Sequence, residues 1–460
     1  MTKKIIFVEP RGVKANVFSS NMTLPSLGSI YLATMLKNEG YDVKVYNENL
    51  LGRDISEEEL NADVLCLTSL TSTVERAYEI AKKFRTLNPE SKIIIGGIHV
   101  SFLKEEAAKY ADYVVIGEGE SVILDLIKKG SKEKFIYAKQ IEDLNKIPSP
   151  DFTTLINYKK MYTSPVMTSR GCPFGCNFCA VTKMFGRGYR TFSNERVIND
   201  LKKVKTKSVF FYDDNFAANK QRLYELFDLM KKENINLYWS SQVRSDVAKD
   251  DYLLKRMSEA GCGGVYVGFE SVNQKTLDRY NKSQSVTDVK NAIKKLHDNN
   301  IRIHGMFVLG SDDDDKKIFK NTSDFSNQYD IDSAQYMILT PLPGTEVFHD
   351  FEKNNRLLHK RWKYYDGMHV VFKPKNLTPL ELQEGIMDCY RDFYSYTRLM
   401  NQALNMVYES TVNYLSYSAN RMSNFFVDRF TITTLGKYVI GKWKKYNKSY
   451  MNYLRTLKTV

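Results

Sequence analysis

The segment Cys172-Pro-Phe-Gly-Cys176-Asn-Phe-Cys179 holds three of the six cysteines of this 460-residue chain. It directly follows residues 166–169, which we predict to be a β-strand. Three thiolates on one tight loop can bind three irons of a cubane and leave the fourth iron without a protein ligand. A structural zinc site would need four ligands, usually in two separated pairs, and no fourth Cys or His lies nearby in the sequence. The segment therefore predicts a [4Fe–4S] cluster with one open iron.

Predicted strands and helices alternate on both sides of this segment. The candidate strands are 166–169, 208–212, 237–241, 265–269, 303–309 and 334–339. Helical patterns lie between them, and one begins with the capping pattern Ser285…Asp288. Six such units predict a partial barrel of the TIM type rather than a closed eight-stranded one. In barrels of this kind, functional groups gather at the carboxyl ends of the strands.

The N-terminal part of the chain repeats the alternation in shorter units. Strand-like apolar runs occur at 5–8, 42–46, 64–67, 92–95 and 113–116, with helical patterns between them. This order predicts a doubly wound, Rossmann-like parallel sheet covered on both faces. Ligands of such sheets bind beyond the carboxyl ends of the strands. The loops expected there are 68–72, 96–99 and 117–120.

These patterns divide the chain into four parts. We assign residues 1–135 to the Rossmann-like domain, 136–160 to a linker, 161–350 to the partial barrel and 351–460 to a helical C-terminal region. The strand–helix rhythm stops after the turn Pro341-Leu342-Pro343-Gly344-Thr345. From residue 401 onward, nine Lys or Arg accompany two acidic residues, so this tail carries +7 of the net charge of +13.

The tail also carries an aromatic stripe at helical spacing, formed by Val439, Trp443, Tyr446, Tyr450 and Leu454. Lysines lie beside it, which is typical of a helix in the interface of an anionic membrane. The alternatives are a helix that packs its stripe on the barrel and a basic face that is simply solvated. We expect no nucleic-acid partner, because no strand pattern after Thr345 predicts an added RNA-binding β-barrel.

Composition restricts the location of the protein. No stretch reaches ~18 uninterrupted apolar residues, as a transmembrane helix requires. The run Ile5-Ile6-Phe7-Val8 is too short for a signal peptide. Six cysteines are too few for a disulfide scaffold. We therefore expect a cytoplasmic protein, with the basic tail as the candidate contact to a membrane surface.

The spacing Cys-x3-Cys-x-aromatic-Cys, with Phe178 as the aromatic residue, resembles the radical S-adenosylmethionine (SAM) superfamily. The resemblance implies that the open iron binds SAM and that one-electron reduction releases a 5′-deoxyadenosyl radical. The SAM contacts that it implies, all near predicted strand ends, are Phe178, Asp213, Asp214, Arg244, Glu270, Ser271, Gly310 and Pro343. The Gly-Gly-Glu that is common on the second strand of the superfamily is absent here, so the ligands of the SAM amino group stay open.

A doubly wound domain before such a barrel resembles the cobalamin-binding subclass of this superfamily. The cobalamin contacts that the resemblance implies are Pro25, Gly28, Ser69, Gly96, Gly97, His99, Gly117, Glu118, Gly119 and Glu120. The Asp-x-His-x-x-Gly motif that supplies a cobalt-ligating histidine elsewhere is absent. A bound cobalamin would therefore have no protein imidazole on its cobalt. The alternative is a domain that keeps the fold but no longer binds the cofactor.

The resemblance implies a methyltransferase acting on an unactivated carbon of a small or lipid-like substrate. One SAM would form the radical, methylcobalamin would deliver the methyl group, and a second SAM would remethylate the cobalt. A reductant such as flavodoxin or ferredoxin would be a protein partner. Two alternatives stay open. One is a radical SAM cyclase or carbon–carbon coupling enzyme, as in the anaerobic Mg-protoporphyrin ester cyclase or tetraether-lipid synthase groups. The other is a non-enzymatic iron–sulfur protein.

Overall fold

The computed structural model describes residues 3–17, 23–412 and 419–457, and of 405–412 and 419–427 only the backbone. Its strands are β1 (Lys4–Glu9), β2 (Asp42–Asn47), β3 (Val64–Thr68), β4 (Lys92–Gly96), β5 (Tyr113–Ile116), β6 (Phe135–Tyr137), β7 (Thr163–Val166), β8 (Ser169–Arg170), β9 (Arg190–Thr191), β10 (Ser208–Phe211), β11 (Tyr238–Val243), β12 (Cys262–Glu270), β13 (Arg302–Leu309) and β14 (Ser333–Ile338). They form two six-stranded sheets and one short hairpin.

The α-helices connect and cover these strands. In the N-terminal domain they are α1 (Leu27–Asn38), α2 (Glu48–Leu51), α3 (Val74–Leu87), α4 (Ile98–Phe102), α5 (Lys104–Ala107) and α6 (Ile123–Lys129). In the barrel they are α7 (Ala180–Phe185), α8 (Asn194–Lys202), α9 (Lys220–Lys232), α10 (Asp251–Glu259), α11 (Gln274–Arg279), α12 (Val286–Asp298), α13 (Lys317–Gln328) and α14 (Glu346–Lys353). The C-terminal region adds α15 (Pro379–Phe393), α16 (Tyr396–Val412), α17 (Ala419–Tyr446) and α18 (Lys448–Thr456).

The N-terminal sheet is parallel throughout, in the strand order β2-β1-β3-β4-β5-β6. Consecutive residues of β1, such as Ile5 and Ile6, are both fully buried, because helices cover both faces of the sheet. This burial on both faces explains why its strands appear in the sequence as uninterrupted apolar runs. The predicted doubly wound domain is confirmed.

The second sheet is the predicted partial barrel, with six parallel strands in the order β14-β13-β12-β11-β10-β7. Burial alternates along its strands. In β13, Ile303 and Phe307 are buried under the outer helices, whereas His304 and Met306 are half-buried on the inner face. The barrel therefore has a packed outer face and a more accessible interior, and all six strands end towards the same edge.

The C-terminal region is helical, as predicted. Helix α15 begins with a capping box between Thr378 and Glu381 and has Pro379 in its first turn. It packs between α13 and β14 and so closes one flank of the barrel. Among the described residues, no helix is both long enough and apolar enough to cross a membrane.

The structure divides the predicted membrane-interface helix of the tail in two and buries most of its aromatic stripe. Asn447 separates α17 from α18, so the aromatic stripe is divided between two helices. Trp443, Tyr450 and Leu454 are at most 2% exposed. The Tyr450 hydroxyl donates a hydrogen bond to the Val370 carbonyl at 2.6 Å. Three of the five stripe residues therefore pack on the protein, as the alternative expected, because helical periodicity alone cannot separate a membrane-facing side from a core-facing one.

Candidate active site

The cysteine-bearing loop is closed at its base by a hairpin that sequence analysis did not predict. Strands β8 and β9 pair antiparallel, with Ser169 opposite Thr191 and Arg170 opposite Arg190. The enclosed loop, residues 171–189, begins five residues after the end of β7, at the carboxyl edge of the barrel sheet. Its cysteines, Cys172, Cys176 and Cys179, are all free and half-buried.

The first residue of this loop must be glycine. Gly171 has φ +87°, and a β-carbon there would lie 2.3 Å from the Gly188 carbonyl oxygen on the opposite side of the loop. Its N–H donates to Asp214 Oδ2 at 2.9 Å. The two sides of the loop thus meet directly below Cys172, and Asp214 fastens them to the end of β10.

The tip of the loop is hydrogen-bonded to the end of α11 and to the residues that follow it. The Asn177 amide side chain donates to the Arg279 carbonyl at 2.7 Å, and the Asn281 side chain donates to the Gly175 carbonyl at 2.9 Å. Phe178 contacts the Tyr280 ring edge-on, with 5.0 Å between centroids. Phe178 was predicted from the motif. Asn281 lies about a hundred residues away in sequence, and no local pattern indicates its role.

The donor set fits an iron–sulfur cluster. Among the described residues, no three His, Cys, Asp or Glu side chains converge as the ligands of one metal ion do. A cubane does not require such convergence, because each thiolate binds a different iron. The Val181 and Thr182 N–H groups hydrogen-bond to the Cys179 sulfur, but burial dominates and raises the pKa of this thiol to about 11. A thiolate at Cys179 thus needs a positive partner, and iron is one.

The two predicted acidic SAM contacts have different surroundings. Asp213 is fully enclosed and accepts hydrogen bonds from the Thr168 N–H at 2.7 Å and the Ser169 N–H at 3.1 Å. It supports the backbone that leads into the cysteine loop. Asp214 accepts from Gly171, and burial raises the pKa of its carboxyl group to about 6. Asp214 is also close enough to Cys172 and Cys179 to affect their pKa values.

A buried ion pair lies at the carboxyl end of β12. The Lys282 ammonium is 2.6 Å from the Glu270 carboxylate, and both side chains are 8% exposed. Glu270 has φ +64°, an uncommon conformation for a residue with a side chain. The Lys282 carbonyl accepts a hydrogen bond from Arg244, whose guanidinium stacks on the Phe174 ring at 3.6 Å. The sequence indicated Arg244 and Glu270 but not Lys282, which no motif marks.

This arrangement has the charges that bind a zwitterion. An ammonium and a carboxylate side by side complement the carboxylate and ammonium of an amino acid, the part of SAM that approaches the open iron. Because Arg244 stacks on Phe174 of the cysteine loop, the pair lies close to that loop. Lys282 is therefore a candidate contact for the SAM carboxylate.

The remaining predicted SAM contacts stabilise turns at strand ends. The Ser271 hydroxyl accepts from the Asn273 N–H at 3.1 Å, and the Gly310 N–H donates to Asp314 at 2.9 Å. Pro343 precedes Gly344, where a β-carbon would lie 2.4 Å from the Phe102 ring of the N-terminal domain. Their contacts with SAM stay predictions. A cavity of about 680 Å³ opens in the same region, with a lining that includes Asn177, Tyr280, Ser311 and Leu339.

The carboxyl edge of the N-terminal sheet has features suited to a large flat ligand. The Ser69 hydroxyl is buried and has no hydrogen-bond partner among the described residues. The adjacent Leu70 is 62% exposed, although it is apolar. An orphaned hydroxyl and an exposed leucine beyond β3 offer one polar and one apolar contact, which fits cobalamin.

The glycines of this edge are required by the domain itself. A β-carbon at Gly97 would lie 2.8 Å from the Ser69 carbonyl oxygen, and one at Gly117 would lie 2.8 Å from the Ala138 carbonyl oxygen. Both have positive φ. The other predicted contacts are placed by nearby elements. Gly96 ends β4, Pro25 precedes α1, Gly28 is in its first turn, and a β-carbon at Gly119 would lie 3.3 Å from Leu32 of α1.

His99, Glu118 and Glu120, also predicted at cobalamin, have protein partners. His99 is 1% exposed, with Nδ1 3.2 Å from Thr71 Oγ1 and its ring edge-on to Trp362 at 5.1 Å. Glu118 and Glu120 form ion pairs with Arg190 and Arg170 of the hairpin. Their contacts with cobalamin stay predictions.

Fold and site together define a two-domain enzyme in which an open-iron cluster site at a barrel mouth adjoins the ligand edge of a doubly wound domain. The model of the radical SAM superfamily matches residues 166–321, and that of the B12 binding domain matches residues 13–127. An uncharacterized methyltransferase of Pyrococcus horikoshii is 31% identical over 425 residues, covering 85% of this chain and 92% of its own. The chain belongs to the radical SAM superfamily, in the group with a B12-binding domain.

Two further relatives have more specific names. Bacteriochlorophyllide d C-12(1)-methyltransferase of Chlorobaculum tepidum is 29% identical and covers 93% of each chain. Anaerobic magnesium-protoporphyrin IX monomethyl ester cyclase of Cereibacter sphaeroides is 27% identical over 85% of this chain and 70% of its own. The cofactors of this family are a [4Fe–4S] cluster, SAM and cobalamin.

A solved structure shares the whole architecture. It is a cobalamin-dependent SAM radical enzyme with aqua-cobalamin and SAM bound. It superposes with a TM-score of 0.68 at 15% identity and covers 99% of this chain and 80% of its own. At this identity the likeness concerns the fold alone, and it extends over both sheets and the helical C-terminal region.

Proposed function

We propose that this protein is a cobalamin-dependent radical SAM methyltransferase that acts on an unactivated carbon. The observation that carries the proposal is the placement of the two sites. The cysteine loop closes on Arg170 and Arg190, and both arginines contact the loop after β5 at the ligand edge of the N-terminal sheet. A cluster and a cobalamin bound at these sites would be neighbours, as transfer of a methyl group to a radical requires.

The protein's own residues have binding and shielding roles in this proposal. When bound, the reduced cluster supplies an electron to SAM and the cobalamin supplies a methyl group. Lys282 and Glu270 bind and orient the amino-acid part of SAM through opposite charges. The Arg244–Phe174 stack covers the cysteine loop and limits access of water to it.

The inner barrel face favours a flat or apolar uncharged substrate. Phe210 and Tyr266 lie 5.5 Å apart between ring centroids, and Tyr266 and His304 lie 4.7 Å apart. Burial lowers the pKa of His304 to about 4, so this side chain is neutral at physiological pH. With the bacteriochlorophyllide methyltransferase among the relatives, these contacts support a tetrapyrrole-like or lipid-like substrate.

The partners and location follow from this chemistry. We propose that a low-potential carrier such as flavodoxin or ferredoxin reduces the cluster and that the enzyme acts in the cytoplasm. The support for contact with an anionic membrane is weaker, because three of the five residues of the aromatic stripe are buried. The exposed lysines of the tail are the remaining basis for such a contact.

A cyclase or carbon–carbon coupling enzyme is the second candidate, because the cyclase of Cereibacter sphaeroides is also a relative. The two functions differ in their products. Methylation adds the mass of one CH2 group and carries label from the methyl group of methionine. Cyclisation removes hydrogens and incorporates no label.

Methyl-deuterated methionine fed to a wild-type strain and to a deletion strain tests this choice. We expect a metabolite in the wild type that retains a deuterated methyl group and is absent from the deletion strain, together with its unmethylated precursor in the latter. A metabolite pair that differs only in hydrogens and carries no label would contradict methyl transfer and favour the cyclase.

A further inference from the structure

Four charged side chains meet where the cysteine loop touches the N-terminal domain. Arg170 lies 2.5 Å from Glu120 and 3.5 Å from Glu118. Arg190 pairs with both carboxylate oxygens of Glu118, one of them at 3.0 Å. The four side chains are between 5% and 11% exposed. Two guanidinium groups and two carboxylates thus form a nearly dry, electrically balanced cluster, which we call the hairpin–sheet ion cluster.

The two arginines stand at the base of the cysteine loop. Arg170 and Arg190 are opposite each other in the β8–β9 hairpin, so every residue between them, including all three cysteines, lies in the loop that they close. Cys172 is two residues from Arg170, and Gly171 between them is fixed by Asp214. A displacement of Arg170 therefore moves the backbone that carries the first cysteine.

The two glutamates stand at the other cofactor site. Glu118 and Glu120 belong to the loop after β5, at the carboxyl edge of the N-terminal sheet. The Glu118 carboxylate also accepts a hydrogen bond from the Ile141 N–H at 2.9 Å. The Arg170 guanidinium lies over the ring of Tyr31 in α1, 5.8 Å from its centroid. The two glutamates of the hairpin–sheet ion cluster are thus part of the sheet edge where cobalamin contacts are predicted.

The hairpin–sheet ion cluster places two positive charges side by side, which favours the arrangement in which the loop after β5 stays against the hairpin. Arg170 and Arg190 are neighbours in a hairpin whose strands have two residues each. Of the two carboxylates, Glu118 contacts both arginines and Glu120 contacts Arg170. If the loop after β5 moved away, both arginines would lose the carboxylates that neutralise them, and two guanidinium groups would be left side by side. Separating a buried charge from its partner is strongly destabilising, so the loop and the hairpin should move together.

We propose that the hairpin–sheet ion cluster is a positioning device that sets the separation and orientation of the iron–sulfur and cobalamin sites. Its four residues are positioning residues, since they act through the cysteine loop and the sheet edge. The proposal rests on the proposed function only in requiring both cofactors to bind, not in methyl transfer.

A spectroscopic distance in the loaded protein tests this proposal. The variant is Arg190→Gln, because Arg190 is outside both predicted sets of cofactor contacts. The control is Lys128→Gln, which removes an exposed ion pair with Glu39 inside the N-terminal domain, away from the hairpin. Pulsed EPR measures the distance between the reduced cluster and the paramagnetic Co(II) form of cobalamin. We expect one narrow distance distribution in the wild type and the control, and a shifted or broadened one in Arg190→Gln.

Turnover gives a second readout that a purely structural role would not move. With the substrate identified by the labelled-methionine experiment, we expect the methylated product formed per 5′-deoxyadenosine released to fall about 10–100-fold in Arg190→Gln, as for a misplaced reacting group. Arg190→Lys, which keeps the charge, should recover part of the loss. An unchanged distance distribution in Arg190→Gln with both cofactors bound would overturn the proposal.

A milder variant and a measurement that needs no cobalamin test the positioning role separately from cobalamin binding. Glu118→Gln/Arg190→Gln removes one charge of each sign and leaves no uncompensated charge. Hydrogen exchange of the cluster-loaded protein without cobalamin should accelerate together in residues 117–122 and 171–189 of this variant. If the wild type failed to bind cobalamin, the proposed function would fail. Unchanged exchange in either of the two loops would overturn the positioning role by itself.

Discussion

At the scale of single residues, the barrel interior is defined by groups that are buried without a net charge. Lys282 and Glu270 neutralise each other beneath the cysteine loop. His304 on β13 is kept neutral, because burial lowers its pKa to about 4 from an ordinary value of 6.5. Its Nδ1 lies 2.8 Å from the Ser333 hydroxyl. A neutral, aromatic surface therefore faces the interior.

The His304 imidazole should make the protein sensitive to acid. Its pKa is depressed in the folded state, so between about pH 6.5 and pH 4 the unfolded chain binds a proton that the folded chain does not. Stability should fall as the pH drops through this window. The thermal midpoint of His304→Gln, measured from pH 7 to pH 4.5, should fall less steeply than that of the wild type.

Met306→Leu serves as the control for His304→Gln, since it changes the same inner face without a titrating group. Its thermal midpoint should show the wild-type dependence on pH. An equal slope for wild type and His304→Gln would contradict the account of this side chain.

At the scale of elements, the sequence predicts long periodic strands and helices but does not reveal strands of only two residues. Five of the six barrel strands were predictable because each has two or more apolar residues in succession. The first strand was misplaced: 166–169 was predicted, whereas β7 is Thr163–Val166, whose sequence TSPV has no apolar run. Strands β8 and β9 have two residues each, which gives no period, although they close the loop that holds the cluster site. The tail stripe had a clear helical period, but the period does not reveal what the stripe faces.

Two tyrosines of that stripe give a direct test of its burial. Tyr450 is 2% exposed and donates to the Val370 carbonyl, whereas Tyr446 is 39% exposed. Tyr450→Phe leaves that carbonyl without its donor and should cost about 1–3 kcal/mol. Tyr446→Phe should change stability by less than about 0.5 kcal/mol. Thermal or denaturant unfolding of the two variants measures the difference, and equal effects would mean that the stripe is not core.

At the scale of the whole molecule, two domains meet around the candidate cofactor sites. The existence and order of these domains could be predicted from the sequence, because each repeats its own strand–helix unit. The contacts between them could not, because they join residues far apart in the chain. Glu118 and Arg190 are 72 positions apart, and Glu106 and Trp362 are 256 apart. Lys282 was missed for a different reason: its partner Glu270 is only 12 positions away, but no motif or periodicity marks an isolated lysine.

Binding of cobalamin at the N-terminal sheet edge should depend on Leu70. Gly97 is a predicted cobalamin contact but a poor site for a substitution, because any side chain there would collide with Ser69 of the same domain. Leu70 is exposed beyond β3, so Leu70→Lys leaves the core intact and places a charge where the flat ring would bind. We expect this variant to copurify with less cobalamin, read from the corrinoid absorption bands, at unchanged iron content.

Leu87→Lys is the matched control for Leu70→Lys. Leu87 is also an exposed leucine, but it ends α3 at the opposite edge of the sheet. Its cobalamin content should equal that of the wild type. Equal losses in both variants, or none in Leu70→Lys, would place the cobalamin elsewhere.

The measurement that tests the central claim most directly is cleavage of SAM by anaerobically reconstituted protein. The wild type should hold about four irons and four sulfides and form 5′-deoxyadenosine when reduced. The double variant Cys66→Ala/Cys389→Ala removes two cysteines outside the loop and should match the wild type in iron content and SAM cleavage. The triple variant with alanine at Cys172, Cys176 and Cys179 should lose both the cluster and the activity. Retained SAM cleavage in that triple variant would contradict the account.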